Sequence, residues 1–160
     1  MIYFNENFRP SAGVIIYTTE GVILVKEKEK NFSYSHQGFQ KVTKTFFKLP
    51  GGKSKSWEKE ERETALREVL EETGINLIYM RDQMSLEDVI IRHGFRHSIF
   101  LINLPFLPIL KIDNEIGDIK IVSPEDWRKM REENEILKWH ASVVEKVLPE
   151  FSGYIEPVYA

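Results

Sequence analysis

The alternation of apolar and polar positions divides the chain into short segments. Residues 12–18 are rich in β-branched side chains, Glu20-Gly21 follows as a turn, and 22–26 resumes the apolar run, the pattern of a β-hairpin. Residues 28–44 read as a long loop, of the kind that often carries function in a compact domain. Residues 45–49 predict a short buried strand, stopped by Pro50-Gly51-Gly52. From Ser56 the spacing turns helical. Ser56 is expected to cap, Glu58, Glu60 and Glu61 suit the positive end of the helix dipole, and Ala65, Leu66, Val69 and Leu70 form one apolar stripe. Gly74 stands where a left-handed C-cap residue belongs. Further strands are expected at 75–80, 88–92, 96–103 and 118–122. Ser123-Pro124-Glu125-Asp126 announces a second helix, with Ser123 as cap and Pro124 in the first turn. A last helix is expected over 133–148, with Ile136, His140, Val143, Val144 and Val147 on one face. This order predicts an α/β (α+β) fold, a mixed sheet sandwiched between helices, in one domain over 1–160.

Composition narrows the chemistry. There are 22 basic and 25 acidic residues among 160, a net charge of -3, so no dedicated nucleic-acid surface is evident. With no cysteine, disulfides, thiolate nucleophiles and cysteine-ligated zinc are excluded. The longest apolar stretch, 98–110, is broken by Asn103, Pro105 and Pro108 and is too short to span a bilayer. The first residues lack a basic segment leading into an apolar run. No membrane association is expected, the location is expected to be cytoplasmic, and a homodimer is compatible with all of this.

The informative stretch is Pro50-Gly51-Gly52 followed by Arg67-Glu68-Val69-Leu70-Glu71-Glu72-Thr73-Gly74-Ile75. Residues three and four apart share a helix face, so Glu68, Glu71 and Glu72 project together, within roughly 6 Å along the axis. Like charges at this spacing oppose helix formation and call for a compensating charge. A hard divalent cation, which prefers oxygen donors, answers that need. Arg67 precedes Glu71 by four and can hold one carboxylate in place.

These residues closely resemble the signature of the Nudix hydrolases: a glycine, five residues, a glutamate, seven residues, then Arg-Glu-aliphatic-x-Glu-Glu-x-Gly-aliphatic. Gly52 is followed after five residues by Glu58, and the half from Arg67 to Ile75 is complete. Eight residues rather than seven separate Glu58 from Arg67. The resemblance implies the Nudix fold and hydrolysis of a nucleoside diphosphate linked to another moiety, so a small-molecule nucleotide is the expected partner. It also implies that Glu68, Glu71 and Glu72, with the main-chain carbonyl of Gly51, bind Mg2+ or Mn2+, and that Arg67 orients a glutamate. Similar proteins often draw a further acid from a loop after the box, and Glu115 is the candidate here. A non-catalytic nucleotide-sensing module on the same fold is the alternative reading.

The histidines are His36, His93, His97 and His140. None has the spacing and glutamate of a zinc protease helix. His140 is expected to pack on the inner face of the last helix.

Overall fold

The protein is described here by a computed structural model covering residues 8–153, apart from Glu29, residues 35–38, Lys44, His93 and Asn114. The central strand is β1 (Arg9–Tyr17), whose alternate side chains serve two cores. Val14 and Ile16 point into one core with Ala65 and Val69, and Ile15 points into the other with Trp127, Val144 and Phe151. Around β1 lie β2 (Val22–Glu27), β6 (Ser85–Arg92), β7 (Phe95–Asn103) and β8 (Ile116–Val122), in the order β6-β7-β1-β2-β8. Strands β1 and β7 are parallel, and β6–β7 and β2–β8 are antiparallel. One face is covered by α1 (Glu61–Thr73), the other by α2 (Pro124–Glu132) and α3 (Lys138–Val147). The sheet is therefore mixed and sandwiched, as the sequence predicts.

The site is placed by an interruption in this sheet. β1 and β2 pair only near their hairpin turn, at Tyr17↔Val22. Beyond it the segment 45–53 enters. Lys48 bridges Val25 of β2, and β5 (Gly51–Lys53) pairs with Ser11, Ala12 and Gly13 of β1. Only glycine fits at 51, where a Cβ would stand 2.1 Å from the carbonyl oxygen of Ala12. The expected strand at 45–49 is thus an extended bridge, and the paired strand falls on the two glycines.

Other boundaries also differ. Residues 30–34 and 39–43 form a hairpin, β3 (Lys30–Tyr34) with β4 (Phe39–Thr43), where the sequence predicts a loop. Their aromatic and β-branched residues favour extended backbone over the polar residues among them. Helix α1 begins at Glu61, with Glu60 as N-cap and no side-chain cap, rather than at Ser56. The intervening residues turn so that the Glu58 carboxylate accepts from the amide of Lys55 at 2.7 Å. Residues 75–80 do not form a strand. Ile75 and Leu77 alternate inward as strand residues would, but the Asn76 side chain accepts from the amide of Ile78 at 3.1 Å and starts a 3-10 turn over Ile78–Gln83. α3 starts five residues later than expected because Asn134 is left-handed (φ 56°) and Phe47 bonds the Glu135 carbonyl and the Leu137 amide. Ser123 caps α2 as predicted, its hydroxyl accepting from the amide of Asp126 at 3.2 Å.

Candidate functional site

Where β5 meets α1, backbone and carboxylates converge. The amide of Gly51 donates to Glu72 at 2.6 Å, and the Cα of Gly52 stands so close to Glu68 that a Cβ would lie 2.5 Å from its carboxylate oxygen. These glycines and glutamates line a cleft of about 360 Å³, together with Glu27, Lys48, Glu71, Asp113 and Glu115. Gly51, Glu68, Glu71, Glu72 and Glu115, all singled out from the sequence, thus share one cavity. Glu27 and Asp113 belong to no motif, and only the pairing of β2 with β8 brings them here.

Two cations order the acids. Arg67 donates to Glu58 from Nε and Nη2, each at 3.0 Å, and from Nη1 to Glu68 and Glu71 at 3.1 Å. Its Nη2 also meets the carbonyl of Lys53 at 3.0 Å. Lys48 extends its Nζ to the carbonyl of Gly51 at 3.3 Å, to Glu27 at 3.4 Å and towards Glu72 at 3.8 Å. The three helix glutamates are therefore divided, Glu68 and Glu71 about Arg67 and Glu72 towards Gly51 and Lys48.

Burial sets the protonation of these acids. It pushes the Glu72 carboxyl up to about 7, against the pull of Lys48 and the Gly51 amide. Burial also raises Glu68, with Arg67 opposing and Glu71 reinforcing. Glu58 goes the other way: burial acts to raise it, but the Arg67 bonds, the Lys55 amide and Thr64 together hold it below the usual carboxylate range. Desolvated, crowded carboxylates beside an ion-paired acid are what a site for an added cation requires.

Comparison with known proteins bears on this cleft directly. The NUDIX domain family model matches residues 7–146. The chain belongs to the NUDIX family. No curated protein matches it in sequence. Among solved structures, a C. elegans Ap4A hydrolase binary complex is 18% identical at a TM-score of 0.60, covering 90% of this chain and 99% of that one. The NUDIX domain of Shewanella oneidensis NrtR, complexed with ADP ribose, is 15% identical at 0.64, with coverages of 88% and 86%. A bifunctional NMN adenylyltransferase/ADP ribose pyrophosphatase from Francisella tularensis, complexed with AMP and Mn ion, is 19% identical at 0.69, covering 90% of this chain but only 42% of that one. At these identities the likeness establishes the fold.

The donor set of this NUDIX cleft suits a hard divalent cation in kind: every candidate ligand is a carboxylate or carbonyl oxygen. Among the described residues, however, no three acidic or histidine side chains already stand in metal-holding geometry. Arg67 and Lys48 supply the positive charge around the glutamates instead.

His97 and His140 are not among the residues that line this cleft. His140 is buried, and its Nδ1 accepts from the amide of Leu49 at 3.0 Å, as a packed residue would. His97 is buried beside it, the rings stacked at 5.2 Å, with Nδ1 2.6 Å from the Ser11 hydroxyl. His36 and His93 lie outside the described residues.

Proposed function

We propose that this chain hydrolyses a phosphoanhydride bond in a nucleoside diphosphate derivative or a related nucleotide, using Mg2+ or Mn2+ held by Glu68, Glu71, Glu72 and the carbonyl of Gly51. The observation that carries this reading is the meeting of those four groups in one cleft, on a chain that matches the NUDIX model over most of its length. When bound, a divalent cation neutralises the phosphates and acidifies a water. The protein's own residues supply the rest. Arg67, anchored on Glu58, keeps Glu68 and Glu71 aimed into the cleft. The Gly51 amide fixes Glu72, and the flanking backbone lets substrate approach without a side chain in the way. Glu115 lines the same cleft and can accept the proton of the attacking water. Lys48 adds a positive charge for a phosphate oxygen.

The test is a panel of nucleoside di- and triphosphates and nucleoside diphosphate conjugates with Mg2+ or Mn2+, read by release of phosphate or nucleoside monophosphate. Turnover abolished by EDTA and by Glu72→Gln supports the proposal. Turnover that survives both overturns it. The second reading, a nucleotide-sensing module, is favoured by the pairing of Glu68 and Glu71 with Arg67. It predicts nucleotide binding with no product from any member of the panel.

A further inference from the structure

Between the Lys48 bridge and β5 the chain crosses from β2 to β1 through Leu49, Pro50 and Gly51. Few bonds hold this crossing. Proline has no amide to donate. The Pro50 carbonyl accepts from the Val14 amide at 3.0 Å, and the Gly51 amide is taken by Glu72 at 2.6 Å. The Leu49 amide donates to a side chain from across the fold, Nδ1 of His140 on α3, at 3.0 Å.

His140 does not stand alone. Its ring stacks on that of His97 at 5.2 Å, with the planes 10° apart, and the Trp139 ring closes on both, 5.2 Å from His97 and 4.5 Å from His140. On β7, His97 is fixed by the Ser11 hydroxyl, 2.6 Å from its Nδ1. Its Nε2 lies under Gly13: a Cβ there would stand 3.0 Å from that nitrogen and 3.6 Å from the Pro50 carbonyl oxygen. Ser11 and Gly13 are the β1 partners of Lys53 and Gly51. The stacked rings thus support the Leu49–Gly51 crossing from the α3 side of the sheet.

Packing alone does not account for imidazole here. Because Nδ1 of His140 accepts a proton, the proton of the neutral ring sits on Nε2. That Nε2 and the Nε2 of His97 are buried and have no hydrogen-bond partner among the described residues. Buried nitrogens without partners oppose folding. Phenylalanine in place of His140 would fill the space without that penalty. What it lacks is an acceptor for the Leu49 amide.

We infer that His140, backed by His97, is a positioning residue: it pins Leu49 and so fixes where the Gly51 carbonyl points in the acidic cleft. This rests on the proposed function, in which that carbonyl is a metal donor, and deepens it. His140 touches neither metal nor substrate. It acts through two residues of main chain, and Glu72 holds the same stretch from the α1 side.

The experiment compares His140→Phe, which keeps a stacking ring without the acceptor, with His140→Asn, whose Oδ1 can stand where Nδ1 stands. Calorimetry with Mn2+ alone on the full chain should show affinity about tenfold lower in His140→Phe and within about threefold of wild type in His140→Asn, the scale of losing support behind a metal ligand. At saturating Mn2+, the best substrate of the panel should show a kcat about tenfold lower in His140→Phe, with KM within about twofold. Wild-type Mn2+ affinity in a folded His140→Phe overturns the inference. So does a folded His140→Asn as impaired as His140→Phe, or a loss carried by KM alone. If His140→Phe does not fold, Gly13→Ala is read in its place, since its methyl group displaces the His97 ring from the other side. Mn2+ affinity about threefold lower or more is then expected, and an unchanged affinity overturns the inference. The two proposals fail differently. A wild type that neither binds Mn2+ nor hydrolyses any member of the panel removes both. Metal-dependent hydrolysis with Mn2+ affinity indifferent to these substitutions removes only the role of His140.

Discussion

Arg67 grips Glu58 through two bonds of 3.0 Å, although the segment between them is one residue longer than the family signature specifies. The extra residue is absorbed in the turn before α1, and the clasp closes regardless. Glu58→Gln weakens that clasp without removing the side chain's bulk. Its turnover is expected to fall about 10- to 100-fold, the usual cost of losing a partner behind a metal ligand. The fold should persist, as read by circular dichroism. Wild-type rates in Glu58→Gln would show that Arg67 needs no anchor.

Glu72→Gln removes a buried charge and a proposed metal donor while preserving the acceptor for the Gly51 amide. A direct donor should matter more than a supporting residue, so turnover should fall by about a hundredfold or more. Added Mn2+ should raise the melting temperature of the wild type and leave that of the variant unchanged, since only a ligand bound to the native state stabilises it.

The two glycines separate architecture from chemistry. At Gly51 a methyl group meets the main chain of Ala12, which cannot yield, so Gly51→Ala should cost at least about 3 kcal/mol in denaturant unfolding. At Gly52 it meets the Glu68 carboxylate, which can swing aside. Gly52→Ala should therefore lose activity and metal affinity with a much smaller loss of stability. Equal destabilisation by both substitutions would contradict this assignment.

Burial holds His97 at about 4, aided by the nearby positive charge of Lys48, and burial keeps its stacked neighbour His140 well below the usual histidine value. Below the ordinary value of about 6.5 the unfolded chain takes up a proton that native His97 refuses. Stability from this residue is complete above that pH and declines as pH falls towards about 4, by about 3 kcal/mol in total. Urea unfolding of the wild type and of His97→Asn between pH 7 and 4.5 reads the contribution of His97 together with its effect on the stacked His140. The variant should lose less stability on acidification. The raised Glu68 and Glu72 act with the opposite sign, but they do so in both proteins and cancel in the comparison.

What could be read in the sequence was whatever depended on local periodicity. The Ala65 and Val69 part of the α1 stripe, the Gly74 cap and the Ser123 cap all arise from neighbours along the chain, while Leu70, expected on the same stripe, is exposed. The glutamate cluster was legible for the same reason, because helical spacing alone puts Glu68, Glu71 and Glu72 on one side. The start of α1 was not, since it is decided by Glu58 reaching forward to Arg67. The alternation at Ile75 and Leu77 imitates a strand, but the Asn76 side chain accepts from the Ile78 amide and turns the backbone into a 3-10 turn. Glu27 and Asp113 reach the cleft through strand pairing across most of the chain. Lys48 belongs to no motif, and the bridge to Val25 is what fixes its position.

The interrupted pairing of β1 with β2 has a kinetic consequence. A hairpin ordinarily zips from its turn within microseconds, but this one must stay open beyond Tyr17 and Val22 until a segment some thirty residues downstream docks between its arms. Closing that loop carries an entropy cost that local contacts do not repay in advance. The glycine floor of the cleft is therefore expected to assemble late. Its amides should exchange with solvent sooner than those of β7, whose pairing with β1 is continuous from end to end.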